Sequence, residues 1–182
     1  MWEWEITPHF VLDDMNINNV LYSGARISYK LGLFGYQDKI KLRYEFSSYS
    51  YWLFGPLWNL GLRLTAGYKP SEKFASKYFL GGFETVRGLP DGFFNGSYAA
   101  YSNLELRYFP IKKTIWVELS TFLDFGSAAD SWQEVKRTSV TAGGLGVRLT
   151  APYVHGLVVR IDYAWNLKDP SKQGISLDQN NF

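Results

Sequence analysis

Read at every second residue, the stretch GLVVRIDYAWN at 156–166 separates into two faces. One is Leu157, Val159, Ile161, Tyr163 and Trp165, and the other is Val158, Arg160, Asp162, Ala164 and Asn166. Side chains alternate across a β-strand with a period of two, so this is a strand with one apolar and one polar face. The same separation recurs along most of the chain. At 114–126, Ile115, Val117, Leu119, Thr121, Leu123 and Phe125 stand against Thr114, Trp116, Glu118, Ser120, Phe122, Asp124 and Gly126. At 38–48, Ile40, Leu42, Tyr44 and Phe46 stand against Lys41, Arg43, Glu45 and Ser47. At 58–69 an apolar face from Trp58 to Tyr68 opposes Asn59, Gly61, Arg63, Thr65, Gly67 and Lys69. Runs at 20–33, 99–109 and 138–150, and the opening Trp2, Trp4 and Ile6 against Glu3, Glu5 and Thr7, follow the same rule.

Turn-forming clusters (DDMNINN, GYQDK, FGPLW, FPIKK, APYVHG and KDPSKQG) divide these runs into about eight strands and a short final one at 174–182. No segment sustains a 3.6-residue period. Most connections are too short for a crossover helix, so the sheet is expected to be antiparallel. A chain of 182 residues without an evident linker reads as one domain, 1–182.

A soluble sandwich or lipocalin-like ligand-binding barrel also alternates, with its apolar face turned inward. Two features favour a membrane barrel instead. The runs of 10 to 13 residues match a tilted membrane-crossing strand of about 9 to 11 residues and exceed the soluble mode of about 5 to 6. Aromatics also gather at strand ends, at Trp2, Trp4, Tyr51, Trp52, Trp58, Tyr68, Tyr108 and Trp165, as in the girdles at the two interfaces. The polar face mixes both signs of charge, so that Arg63, Arg107, Arg148 and Arg160 can pair across a lumen with Glu45, Glu105, Glu118, Asp124 and Asp162.

Composition removes other classes. Aromatics reach 18% of residues while the mean hydropathy is only −0.18, and no window approaches the roughly 20 apolar residues of a spanning helix. A net charge of +2 is too even to point to nucleic acid, and the absence of cysteine removes disulfides and thiol chemistry. The opening MWEWEITPHF has neither a basic n-region nor an apolar h-region, so no secretory signal is expected in this chain. The two histidines, His9 and His155, make no evident metal set, and Asp13, Asp14 and Asn16 read as a solvated hairpin tip before a calcium loop. No nucleophile elbow or phosphate loop is present, so neither an enzyme nor a cofactor is expected.

The segment FLGGFETVRGLPDG at 79–92 resembles the loop signature of the outer-membrane assembly superfamily that includes BamA, TamA, two-partner secretion transporters and patatin-like autotransporter barrels. Gly81 and Gly82 precede Val86, Arg87, Gly88 and Leu89, with leucine where the family carries an aromatic. The likeness continues in order through YSNLELRYFP with Glu105, IWVELSTFLDFGSAAD with Asp124 and Gly126, the Gly-rich pair around Pro152, and the closing ISLDQNNF. It covers roughly 58–182, and 2–54 fit only as generic barrel strands.

The resemblance implies an all-β, antiparallel transmembrane barrel of about 8–9 strands, or the C-terminal part of a sixteen-strand one, with the loop at about 70–98 folded inward. It implies that Arg87 contacts Asp124, with Glu105 nearby, and that the chain sits in the bacterial outer membrane without a POTRA domain. By the same likeness, Ile175, Leu177 and Phe182 form the seam and C-terminal signal. Counted back from Phe182, the outward positions are Asn180, Asp178 and Ser176. The implied activity is insertion or translocation of outer-membrane proteins through a weak first-to-last strand seam beside a thinned bilayer. The alternative is a reduced member acting as an anchor or a homodimeric pore. Expected partners are the bilayer, other outer-membrane proteins, periplasmic domains or a second copy.

Overall fold

A computed structural model describes residues 3–18, 21–36, 39–70, 77–151, 157–169, 171 and 173–180. β1 (Glu3–Ile6), β2 (His9–Asp13) and β3 (Asn16–Asn18) lie end to end along β4 (Leu21–Tyr36). Their register is continuous, with Glu3 opposite Tyr36, His9 opposite Lys30 and Asn16 opposite Ser23. They are one strand interrupted twice. Pro8 brings no N–H to the ladder, and the second break, at Asp14 and Met15, faces Gly24, whose φ is +96°. DDMNINN is therefore strand-paired as far as Asn18, and with Asn18 opposite Leu21 the reversal the sequence suggests comes only after it. Asp13 pairs with Arg26 within the strand, so Asp13, Asp14 and Asn16 are not at a hairpin tip.

β5 (Lys39–Phe54) and β6 (Trp58–Tyr68) follow as hairpins. A long loop then carries the small hairpin of β7 (Tyr78–Leu80) and β8 (Phe94–Gly96). The wall resumes with β9 (Tyr98–Lys112) and β10 (Trp116–Ala129), crosses the short helix α1 (Trp132–Thr138), and ends with β11 (Val140–Ala151), β12 (Leu157–Asn166) and β13 (Gln173–Asn180). The main sheet runs β1-β4-β5-β6-β9-β10-β11-β12-β13, antiparallel throughout, with β2 and β3 also on β4. Among the described residues no pairing joins β13 back to β1–β3, so the sheet is open. No helix is long and apolar enough to cross a membrane.

The two faces sort as alternation requires. Leu104, Leu123, Leu145, Val147 and Ile161 are exposed on the outer surface, while Asn59, Glu105, Glu118, Asp124 and Asp162 are buried on the inner one. That inversion of the soluble pattern is what a polar lumen and an apolar surroundings demand. The inner face is concave. A flat sheet would hold β9 and β12 about 14 Å apart at roughly 4.8 Å per strand, yet a single nitrogen of Arg87 lies 2.7 Å from Glu105 and 3.1 Å from Asp162.

Aromatic bands rim the outer face. Tyr44, Tyr68, Tyr98 and Trp132 form a continuous row with centroids 5.8, 4.4 and 5.4 Å apart, and Trp58 lies 4.5 Å from Tyr108 at the opposite end. Residues 58 and 68 stand ten positions apart on β6 (68 − 58). At about 3.3 Å per residue and a tilt of about 40°, that is about 25 Å along the barrel axis, the height of an outer-membrane apolar band. Tyr51, expected in a girdle, instead points inward and packs 5.1 Å from Tyr22. Connections near Trp58 are short turns (55–57 and 113–115), whereas the long loop and α1 both lie at the other end. Membrane barrels show this same asymmetry between periplasmic turns and extracellular loops.

Candidate functional site: a loop pinned in the lumen

Between β7 and β8 the chain folds back against the inner face of β9–β12. Gly81, Gly82 and Gly88 adopt φ of +127°, +75° and +80°. Gly88 shows why the motif needs glycine: a Cβ there would sit 3.0 Å from the Cβ of Ala164 and 3.1 Å from its backbone. Thr85 closes the turn, its hydroxyl accepting from Gly81 N–H (2.7 Å) and donating to Gly81 O (2.8 Å). Gly82 N–H donates to Leu89 O (2.9 Å). Val86 and Leu89 bury themselves against Ala142. These flanking contacts leave Arg87 aimed at the wall.

Arg87 is 3% exposed and Asp124 fully buried. The guanidinium grips Asp124 bidentately, Nε to Oδ2 and Nη2 to Oδ1, each at 2.7 Å, and the Arg87 backbone N–H adds a bond of 3.0 Å to Oδ2. Nη1 donates to Glu105 (2.7 Å) and Asp162 (3.1 Å). The fork geometry of arginine suits such a set of carboxylates, and lysine lacks it. Beneath it lies Phe122, its centroid 3.3 Å from the guanidinium carbon. Gly144 leaves room for that ring, since any Cβ there would overlap it.

Around this centre, Arg107 bonds Glu105 (2.6 Å) and lies 3.6 Å from Glu118. Arg148 bonds Glu118 (3.0 Å), and Arg160 bonds Asp162 (2.6 Å) and Glu105 (3.3 Å). Four arginines (87, 107, 148, 160) thus face four carboxylates (105, 118, 124, 162), a neutral cluster. Neutrality allows so many charges to sit out of bulk water, because each retains an opposite partner. Arg63 departs from the expected ion pairing. It is held by neutral acceptors, Glu84 O (2.9 Å) and the Tyr101 hydroxyl (2.5 Å), while Glu45 pairs with Lys30 at 2.9 Å.

The loop is tied down again at the rim. Lys77 bonds Asp130 at 2.8 Å, and Ser97 N–H donates to the same carboxylate at 3.1 Å. The Lys77 ammonium holds the Asp130 carboxyl below its ordinary value, aided by Ser97. The Tyr78 hydroxyl donates to Glu45 (3.0 Å), and burial together with that carboxylate raises the phenol above its usual range. A cavity of about 540 Å³ remains between loop and wall, lined in part by Tyr49, Tyr51, Arg63, Asn103, Glu105 and Arg107.

The structure therefore brings Arg87, Asp124 and Glu105 together and places Asp162, Asn103 and Phe122 in the same site, none of which the sequence assigns to Arg87. Phe122 carries a legible signal, an aromatic on the polar face of its strand. The C-terminal set lies elsewhere. Ile175 and Leu177 stand on edge strand β13 opposite the outward Tyr163 and Ile161, while Ser176, Asp178 and Asn180 stand opposite the inward Asp162, Arg160 and Val158. The facing expected for Asn180, Asp178 and Ser176 concerns side chains outside those the structure describes. Phe182 and His155 are outside the described residues.

An antiparallel wall with an apolar exterior, a charged lumen and a loop pinned inside it by one arginine defines a membrane β-barrel of the loop-plugged class. The family model for the Omp85 superfamily domain matches residues 14–182, and the chain belongs to that superfamily of outer-membrane assembly and translocation proteins. No curated protein matches the chain.

Proposed function

We propose that the chain works in the bacterial outer membrane as a non-catalytic insertion or translocation barrel. Its working parts are the two edges of the open sheet, with bilayer thinning beside them and the pinned loop governing the lumen. One observation carries the reading: the sheet runs from β1–β3 to β13 with both edges unpaired among the described residues. Unpaired edges template other strands, and in hydrocarbon every backbone group must find a partner. An unfolded outer-membrane protein whose strands alternate in the same way satisfies both demands.

A photo-crosslinker at Ile175, in the protein refolded into vesicles and supplied with an unfolded barrel client, tests this. Adducts recurring at every second client residue are expected. If Trp4→Cys and Leu177→Cys join quantitatively and clients still insert, the seam plays no part. Heat-modifiable, vesicle-bound protein that yields no adducts supports an anchor or structural role instead.

A further inference from the structure

We propose that the wall beneath the loop is an acceptor site for the arginine of an extended polypeptide segment, occupied in this structure by the chain's own residues 84–87. This rests on the translocation reading above, since a passing segment needs the loop displaced.

Three successive wall strands each hold one backbone group of that stretch. Arg63 on β6 donates to Glu84 O (2.9 Å), Asn103 on β9 donates to Thr85 O (2.6 Å), and Asp124 on β10 accepts from Arg87 N–H (3.0 Å). Backbone carbonyls and N–H groups are common to every peptide, so these contacts do not depend on the sequence of the loop. Charge selectivity comes from the arginine, beside the apolar seat that Val86 takes against Ala142.

Withdrawing the loop affects the four carboxylates unequally. Glu105 keeps Arg107, Arg148 and Arg160; Glu118 keeps Arg107 and Arg148; Asp162 keeps Arg160. Asp124 keeps only Asn103 (2.8 Å) and meets no other cation among the described residues. While Arg63 on β6 keeps the Tyr101 hydroxyl, three arginines within the cluster then face four carboxylates. The stranded one is planar, buried and bordered by the face of Phe122, an arrangement that fits a guanidinium and matches an ammonium poorly. The adjoining cavity gives a second segment a way in.

The test uses a fluorescent octapeptide FETVRGLP, residues 83–90, and an analogue with alanine for its arginine. Both are titrated by anisotropy against three micellar proteins: the intact chain, a chain with 82–91 replaced by a Gly-Ser linker, and Arg87→Ala. The two opened proteins are expected to bind the arginine peptide at least tenfold more tightly than the analogue, and adding Asp124→Ala should erase the preference. The intact chain should bind neither, because its tethered loop competes at an effective concentration of about millimolar. A preference below twofold in the opened proteins, or equal binding to the intact chain, overturns the site. If the linker chain loses its heat-modifiable fold, Arg87→Ala decides. Client crosslinking at Ile175 in the same preparations separates the two ideas. Its survival without peptide binding removes only the acceptor site, and loss of both removes the translocation reading beneath it.

Discussion

Replacing Arg87 by alanine removes the one cation that touches Asp124 among the described residues and leaves a fully buried carboxylate with two neutral donors, the Asn103 amide and the backbone N–H of residue 87. Breaking a buried ion pair from one side costs about 3–5 kcal/mol, because the surviving charge stays desolvated. Glu105 and Asp162 keep other arginines, so Asp124 accounts for most of that cost. Losing the guanidinium over Phe122 adds about 1–2 kcal/mol. Relaxation of Asp124 and the retained contacts of Glu84 and Thr85 to the wall offset part of the sum. A net loss of about 4 kcal/mol in loop seating follows, or about a thousandfold rise in the unseated fraction. Thermolysin cleavage in the loop measures it; trypsin is unsuitable, since the substitution deletes a tryptic site. When opening is fast relative to cleavage, the rate tracks the open population. Arg87→Lys should fall between, keeping the charge without the fork. Cleavage of Arg87→Ala within threefold of the parent, in protein that still shifts on boiling, would refute the reasoning.

Gly88→Ala should loosen the same loop by about 1–3 kcal/mol, from left-handed strain and contact with the Ala164 backbone; faster thermolysin cleavage with an unchanged strand signal checks this. Leu145→Arg, on the exposed outer face, should cost about 2–4 kcal/mol of membrane stability if that face meets mid-bilayer lipid, read from urea titration in vesicles; an unchanged midpoint would place Leu145 away from lipid. The rim tie should fail in acid. The Asp130 carboxyl is depressed in the folded state, so its contribution is present above its unfolded value of about 3.9 and is lost as pH falls through the lower folded value. Faster hydrogen exchange at the Ser97 N–H below about pH 4, absent in Asp130→Asn, is expected. The effect is small, because exposed pairs contribute under about 1 kcal/mol.

The strands were legible because a two-residue period is imposed at every position by having different media on the two sides of the wall. The loop centre was legible through its motif. Resemblance, rather than spacing, pointed Arg87 at Asp124 and Glu105, whose sequence separations carry no trace of the contact. The α1 helix escaped because seven residues cannot show a 3.6-residue period. Its signal was local: Ser131 caps it, accepting from Glu134 N–H at 3.3 Å, and Ser-x-x-Glu is a capping pattern. The turn signal at DDMNINN was read several residues too early, because Asp and Asn are common in both turns and strand irregularities, whereas the strand holds to Asn18 opposite Leu21. Only the register with β4 distinguishes them. Tyr51 was assigned to a girdle because it lies near a strand end, although its parity with Tyr49 and Ser47 already placed it inside.

The same register limits what can close the sheet. All its pairings are antiparallel, so direction alternates along the path and its first and ninth strands point the same way. Joining those two edges directly makes a parallel pair. A second copy in the same membrane orientation makes two, because each β13 meets a β1–β3 edge running in its own direction. Parallel pairs are somewhat less stable per residue, which weighs against the homodimeric barrel. An odd number of added strands makes every junction antiparallel. Seven would complete a sixteen-strand barrel (16 − 9 = 7), and one would seal the sheet as it stands. A single client strand between β13 and β1–β3 therefore meets the geometric requirement that a twin copy does not. Strand direction thus admits the proposed insertion role and a sixteen-strand wall equally, and weighs only against direct closure and the twin copy.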